Sequence, residues 1–325
     1  MRDGGRLSSE FGLSIICYKL LEKMRIQIIP SEQIDTTKWD SCVAEAANGL
    51  IYATSDYLNA MADNWSGLVV DDYATIMPLP WRKKWGICYL YTPPFTQQLG
   101  LIGNQVISIE ALTRQLEGFA KYGDYLFNEG NTEIANKLGC TPCNNYLLDL
   151  KRDYDEIKAT YKKSFQKNVN RASHQALVYT ISSDIHEATH VFYEYNKHKI
   201  GHVAPKDLAN FSKLCKQWQI QKRAVIRRVT NAENELMSML LLLQDDKRLY
   251  NIINYTSELG RQCEANYFLY DHLFRELAGS NKHFDFEGSD LPGVKVFYES
   301  MGGIAQPYSH WHFNKLPWLM KLIKK

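Results

Sequence analysis

No apolar run in the sequence approaches the ~20 consecutive residues that a membrane-crossing helix requires. The longest runs, such as residues 236–243, fall far short, so no transmembrane segment is expected. An excess of one charge is also missing. Thirty-eight Lys plus Arg stand against 36 Asp plus Glu, a net charge of +2. Bulk charge therefore implies no nucleic-acid coat, and any polyanion site must come from local clustering. Cysteines are sparse and odd in number: Cys17, Cys42, Cys88, Cys140, Cys143, Cys215 and Cys263. Seven scattered thiols fit a reduced, cytoplasmic protein better than a secreted disulfide framework. With 45% hydrophobic and 23% charged residues, the chain is neither disordered nor collagen-like. Residues 1–23 hold a weak apolar centre without a small-residue cleavage site, so a signal peptide is not expected. They are read as a poorly ordered extension, with Met24 as the natural start.

What is present is enough chain for about two domains. From Met24, MRIQIIP reads as a strand. Asp35 caps a helix through Trp39 and Val43, and Ser55 caps a second. The period then shifts to that of a hairpin over 67–79 turning at Asp71-Asp72, with a further strand at 87–91. Residues 108–122 step Ile109, Leu112, Leu116 and Phe119 along one helical face, and 124–128 is a short strand. The second part repeats the plan. It has a strand at 146–150, a long helix over 153–172 and a strand at 177–181, then helices at 184–199 and 206–218. Strands at 224–229, 236–243 and 249–255 follow, then a helix at 264–278, a strand at 283–287 and a short helix at 293–301. The prediction is α+β: two domains, 24–143 and 144–325, each a mixed, largely antiparallel sheet flanked by helices.

Phe284 to Gly303 (FDFEGSDLPGVKVFYESMGG), with NNYLLDL and KKSFQKNVNRA between 144 and 172, resembles the FemAB-like branch of the GNAT N-acyltransferase superfamily. YLYTPPFTQQLGL (89–101) looks like a segment of its bacterial members. The resemblance implies tandem GNAT domains, with the active site chiefly in the second. It implies transfer of an acyl or aminoacyl group, from a thioester or tRNA ester, to an amine of a small-molecule or cell-envelope precursor. No tightly bound cofactor is implied; acyl-CoA or aminoacyl-tRNA is the donor, which makes tRNA a candidate partner. Such chemistry needs an oriented amine, a base and oxyanion stabilisation, without a covalent enzyme intermediate.

Two positions depart from the family pattern. The turn that would hold a pyrophosphate reads Gly260-Arg261-Gln262-Cys263-Glu264-Ala265, with one glycine and an acid at the helix start. Phe297-Tyr298 stand where crosslinking members have Phe-Lys. These departures keep a catalytically silent GNAT-like binding protein as the alternative.

Alternation in Phe284-Asp285-Phe286-Glu287 sends both rings one way and both acids the other. Glu287 or Asp285 is the candidate base and Tyr298 the candidate proton donor; the plainer reading is helix-capping or surface-paired acids. Lys163, Lys167 and Arg171 form one helical stripe, and Arg223 and Arg227 share a strand face. With Arg261 these are the candidate donor-phosphate residues, against solvated basic faces. His186-Glu187-x-x-His190 matches a zinc-hydrolase pattern, a distant third reading, but Asn196 stands where the extended motif has its third histidine. No metal is expected. Cys140-x-x-Cys143 is read as a loop thiol pair. The basic tip Trp81-Arg82-Lys83-Lys84-Trp85 is read as a solvated turn with its indoles folded back. The aromatic run 308–313 is expected as the last strand of the second sheet, followed by a basic amphipathic tail; the tip is a candidate base-stacking or membrane contact, and the tail a candidate membrane or partner contact.

Overall fold

The computed structural model describes residues 24–198, 203–288 and 290–318. The extension 1–23, residues 319–325 of the basic tail and Ser289 lie outside the described residues.

The first half runs β1 (Ile26–Pro30), α1 (Thr36–Glu45), α2 (Ser55–Met61), β2 (Trp65–Val70), β3 (Thr75–Lys84), β4 (Ile87–Leu90) and β5 (Ile102–Gly103). It continues with α3 (Ile109–Phe119), β6 (Tyr122–Phe127), α4 (Thr132–Lys137), β7 (Thr141–Cys143) and β8 (Tyr146–Asp149). Local signals account for several boundaries. The Asp35 carboxylate accepts from the amides of Thr37 and Lys38, which satisfies two free donors at the start of α1. The Ser108 hydroxyl accepts from the Ala111 amide at the start of α3. Ser55, expected as a cap, is instead the first helical residue, tied by its amide and hydroxyl to Asp40 of α1.

The second half runs α5 (Tyr154–Ala159), α6 (Lys163–Ala172), β9 (Val178–Ser182), α7 (Ile185–Asn196), α8 (Pro205–Ile220), β10 (Ala224–Thr230), β11 (Leu236–Gln244) and β12 (Arg248–Thr256). There follow α9 (Glu258–Gln262), α10 (Ala265–Leu277), β13 (His283–Asp285), α11 (Pro292–Ser300), β14 (Ile304–Ala305) and β15 (Tyr308–Asn314). The long helix expected over 153–172 is two helices. The Lys162 amide donates to Ser300 O at 2.9 Å rather than back along the helix, and the break lets Gly302 pass against Thr160. A Cβ on Gly302, whose φ is +86°, would lie 1.9 Å from the Thr160 hydroxyl.

Two sheets result, ordered β1-β2-β3-β4-β6-β15-β7, with β5 beside β3, and β14-β8-β13-β12-β11-β10-β9. In each, one parallel pair interrupts the antiparallel order: β4 with β6, and β12 with β13. In each, the strand beyond that pair comes from the other end of the chain plan. β8, which follows β7, inserts between β13 and β14, while β15, which follows β14, inserts between β6 and β7. The run 308–313, expected in the second sheet, therefore completes the first. The two connections pass side by side where Gln306 N donates to Asn145 O at 2.8 Å. One apolar core joins the halves, from Leu50, Tyr57, Met77 and Phe127 to Phe211, Trp218, Met239 and Tyr250.

Candidate active site

Parallel strands that pair over a short length and then diverge leave a wedge. Between β12 and β13 pairing stops at Tyr250 opposite Asp285. Beyond it lie Asn251 and Asn254 on one side and Phe286 and Glu287 on the other. Both asparagine amides donate to the Tyr270 hydroxyl at 2.8 Å. The buried Asn251 Oδ1 has no partner among the described residues, so it is an acceptor in want of an N–H or water. Between β4 and β6 pairing also lasts only two residues, but there the chain closes the gap itself. Leu99 donates to Leu126 O and accepts from Asn128 N, bridging alongside Phe127. The open wedge is thus in the second half.

Asp285 and Glu287 both face the first half, while Phe284 and Phe286 are fully buried in the second half's own core. The strand expected to reach 287 stops at 285, because Glu287 adopts φ +60° and Gly288 φ +48°. A left-handed glutamate is a strained position of the kind that collects at functional sites. This turn brings the Glu287 carboxylate to the Tyr52 hydroxyl, which donates to Oε1. Tyr52 lies in a short 3-10 turn, Ile51–Ala53, and packs edge-on against Tyr57 and Tyr250, each at 5.3 Å. Asp285, 1% exposed, accepts from Arg248 Nη1 at 3.0 Å and from the Glu287 amide at 3.0 Å. Arg248 also reaches Glu129 of the first half at 3.8 Å.

Burial and then the Asp285 charge push the Glu287 carboxyl well above the usual carboxylate range; the Tyr52 hydroxyl offsets part of this. Burial raises Asp285 as well, with the Arg248 guanidinium pulling the other way. Two acids so close in a buried site resist ionising together. A carboxyl whose pKa is raised is a stronger base once ionised. Tyr298 of α11 stacks on Phe286 at 4.7 Å and is itself held protonated by burial and by Glu287 and Asp285. The three candidate chemistry residues thus lie together.

The six candidate donor residues do not. Arg261 accompanies Tyr195, Asn254, Asn266, Tyr267 and Phe297 around a cavity of about 440 Å³ beside the wedge. Its guanidinium donates to Thr256 O at 2.8 Å and Tyr195 Oη at 3.2 Å. Arg171 pairs at 2.8 Å with Glu264, which lines the same cavity. Lys163 and Lys167 are exposed on α6, on the stripe that ends at Arg171. Arg223 lies elsewhere, stacked 3.8 Å over Trp218 and bound to Asp56 of the first half. Arg227 is committed to a part-buried fork with Glu276, which also accepts from Tyr179. The expected pyrophosphate turn is filled: residues 258–262 are helical, and Glu264, at φ +56°, occupies the head of α10.

The residues missed in the sequence are Tyr52, Arg248 and Asn251. The remaining motifs are structural. His186 and His190 stack on an exposed helix face while Glu187 meets Arg228 at 3.4 Å. Among the described residues no three His, Cys, Asp or Glu side chains converge as a metal site. Cys140 and Cys143 are free thiols whose burial raises their pKa.

No family model matches this chain, and no curated protein matches it. Solved structures do. FemX is 12% identical, with a TM-score of 0.62 over 92% of this chain and 100% of FemX. A conserved protein of unknown function from Bacteroides thetaiotaomicron is 12% identical, with a TM-score of 0.56 over 86% and 98%. L-PGS from Bacillus licheniformis is 12% identical, with a TM-score of 0.53 over 89% and 95%. At such identities the likeness is one of fold. The chain shares the fold of these structures, an α+β arrangement of two mixed sheets flanked by helices.

Proposed function

We propose that this protein is an N-acyltransferase that moves an acyl or aminoacyl group to an amine of a small-molecule or cell-envelope precursor. The reading rests on the Glu287 carboxylate, held by Tyr52 at the mouth of the open wedge with its pKa raised. In the reaction the amine nitrogen attacks the donor carbonyl and a tetrahedral oxyanion forms. Glu287 takes the ammonium proton, the new C–N bond is kept as the C–O or C–S bond to the donor breaks, the donor oxygen or sulfur leaves with a proton from Tyr298, and the proton on Glu287 passes back to Tyr298 to close the turnover. The Asn251 and Asn254 amides lie on the wedge side where substrate groups would be oriented. Arg248 pairs with Asp285 and pulls both carboxyls down against the effect of burial. Arg261 and the cavity around it would take the donor.

The filled turn at 258–264 favours an aminoacyl ester over acetyl-CoA as donor, since Glu264 sits where a pyrophosphate would meet the helix amides. The test is amide formation, followed by mass spectrometry, with aminoacyl-tRNA and with acetyl-CoA against a panel of amines. Transfer from the ester that is lost in Glu287→Gln supports the reading. No transfer from either donor, with no donor-dependent shift in melting temperature, leaves the catalytically silent binding protein in its place.

A further inference from the structure

Two sequence features far apart in the chain meet at one end of the first sheet. The β3–β4 hairpin turns at Trp85 and Gly86, both at positive φ, with Lys83 opposite Cys88 and Lys84 opposite Ile87. The next strand, β6, begins beside it: Lys121 N donates to Cys88 O at 3.2 Å. β15 ends beside that, with Asn314 opposite Tyr122 and Lys315 N donating to Lys121 O at 2.7 Å. Trp318 follows three residues on. The strand exchange thus sets the hairpin tip and the chain's last described residues on the same edge.

The surface so formed is basic and aromatic. Trp85 and Trp318 are each 71% exposed. Trp81, by contrast, folds back, with its indole on Ser66 and its ring against Phe119. Lys83, Lys84, Lys121 and Lys315 are exposed around the two indoles, and Glu117, bound to Lys315 at 2.9 Å, is the acid among them. Indoles at the level of lipid headgroups and lysines reaching their phosphates are the combination that holds a protein on an anionic bilayer.

We propose that this sheet end is a membrane-docking surface for anionic lipid. It is separate from the wedge of the second half and does not depend on the acyltransfer reading. The full chain is expected to co-sediment with phosphatidylglycerol-containing vesicles, weakly or not at all with pure phosphatidylcholine vesicles, and less so as salt rises. Lys83→Ala/Lys84→Ala should weaken binding roughly 25-fold, two lysines each contributing near the surface, and Trp85→Ala or Trp318→Ala should weaken it further. Lys151→Ala/Lys158→Ala, on the second half, should leave it unchanged. Equal binding to neutral vesicles, no binding to either, or indifference to the Lys83, Lys84 and Trp85 substitutions overturns the proposal. So does binding of short single-stranded RNA through these residues without vesicle binding.

Discussion

Tyr52 and Glu287, 235 residues apart in sequence, share a hydrogen bond across the two halves of the molecule. The tyrosine is fixed by the first half's packing and the glutamate by a left-handed turn in the second, so the bond registers the halves against each other at the candidate base. Glu287→Gln keeps an acceptor for Tyr52 and removes the proton acceptor for substrate. Turnover should fall by about 10²–10⁴. The folded-state pKa of Glu287 lies above its unfolded value of ~4.3. Between the two values the native state binds a proton that the unfolded state has released, so stability declines as pH rises through that window. Removing the group should flatten the profile above pH ~4.3 and leave the variant at least as stable as the parent near neutrality. Denaturant midpoints across pH measure this, and a variant less stable than the parent at alkaline pH would count against it.

Arg248 and Asp285 form a buried pair in which the partners are very unequally replaceable. Removing the guanidinium in Arg248→Met leaves an acid that is 1% exposed without its countercharge. A loss of about 3–5 kcal/mol is expected. Adding Asp285→Asn to the same chain should recover much of it, because the amide needs no countercharge. A double-mutant cycle by chemical denaturation gives the coupling directly, and additive effects would show that the pair does not act as a unit.

Periodicity made most of the fold legible. The Asp35 cap, the hairpins and the alternation around Asp285 and Glu287 are local, so a single chain reports them. Three features were not local. The helix over 153–172 breaks because its Lys162 amide is taken by Ser300. β15 has the alternation of a strand but nothing in it says which sheet it joins. Tyr52 reads as one more aromatic in an apolar stretch, and only the tertiary arrangement delivers its hydroxyl to Glu287. The arginines illustrate the same limit: Arg223, just ahead of β10, and Arg227 within it are four residues apart, yet Asp56 and Glu276 have claimed them separately.

Those claims separate the arginines experimentally. Arg261→Ala should raise the donor's KM about tenfold, in line with loss of a charged contact, with little change in melting temperature. Arg227→Ala should do the reverse. It leaves Glu276 and the Tyr179 hydroxyl in a part-exposed site without their cation, at a cost of about 1–2 kcal/mol after solvent screening, and donor KM should not move. Steady-state kinetics beside thermal melts on both variants distinguish a donor contact from a structural pair; an Arg227 variant with normal stability and impaired donor binding would restore it to the site.

The exchange of β8 and β15 makes each half incomplete alone, which is a statement about folding that can be tested by cutting the chain. A fragment of residues 24–144 lacks β15, so β6 and β7 lose their shared neighbour and Tyr125 and Phe127 lose the cover of Trp311 and Phe313. Unpaired edges over an exposed aromatic face favour aggregation over a stable monomer. Because Gln306 N already bonds Asn145 O, the end of that fragment and the start of β15 are neighbours in space. Residues 24–144 joined through a short Gly-Ser linker to 306–318 should therefore form the complete first sheet. The joined chain should be a soluble monomer with a cooperative thermal transition, while the fragment without β15 should not. Equal behaviour of the two chains would mean that β15 is an accessory to the first sheet and the halves fold without exchange.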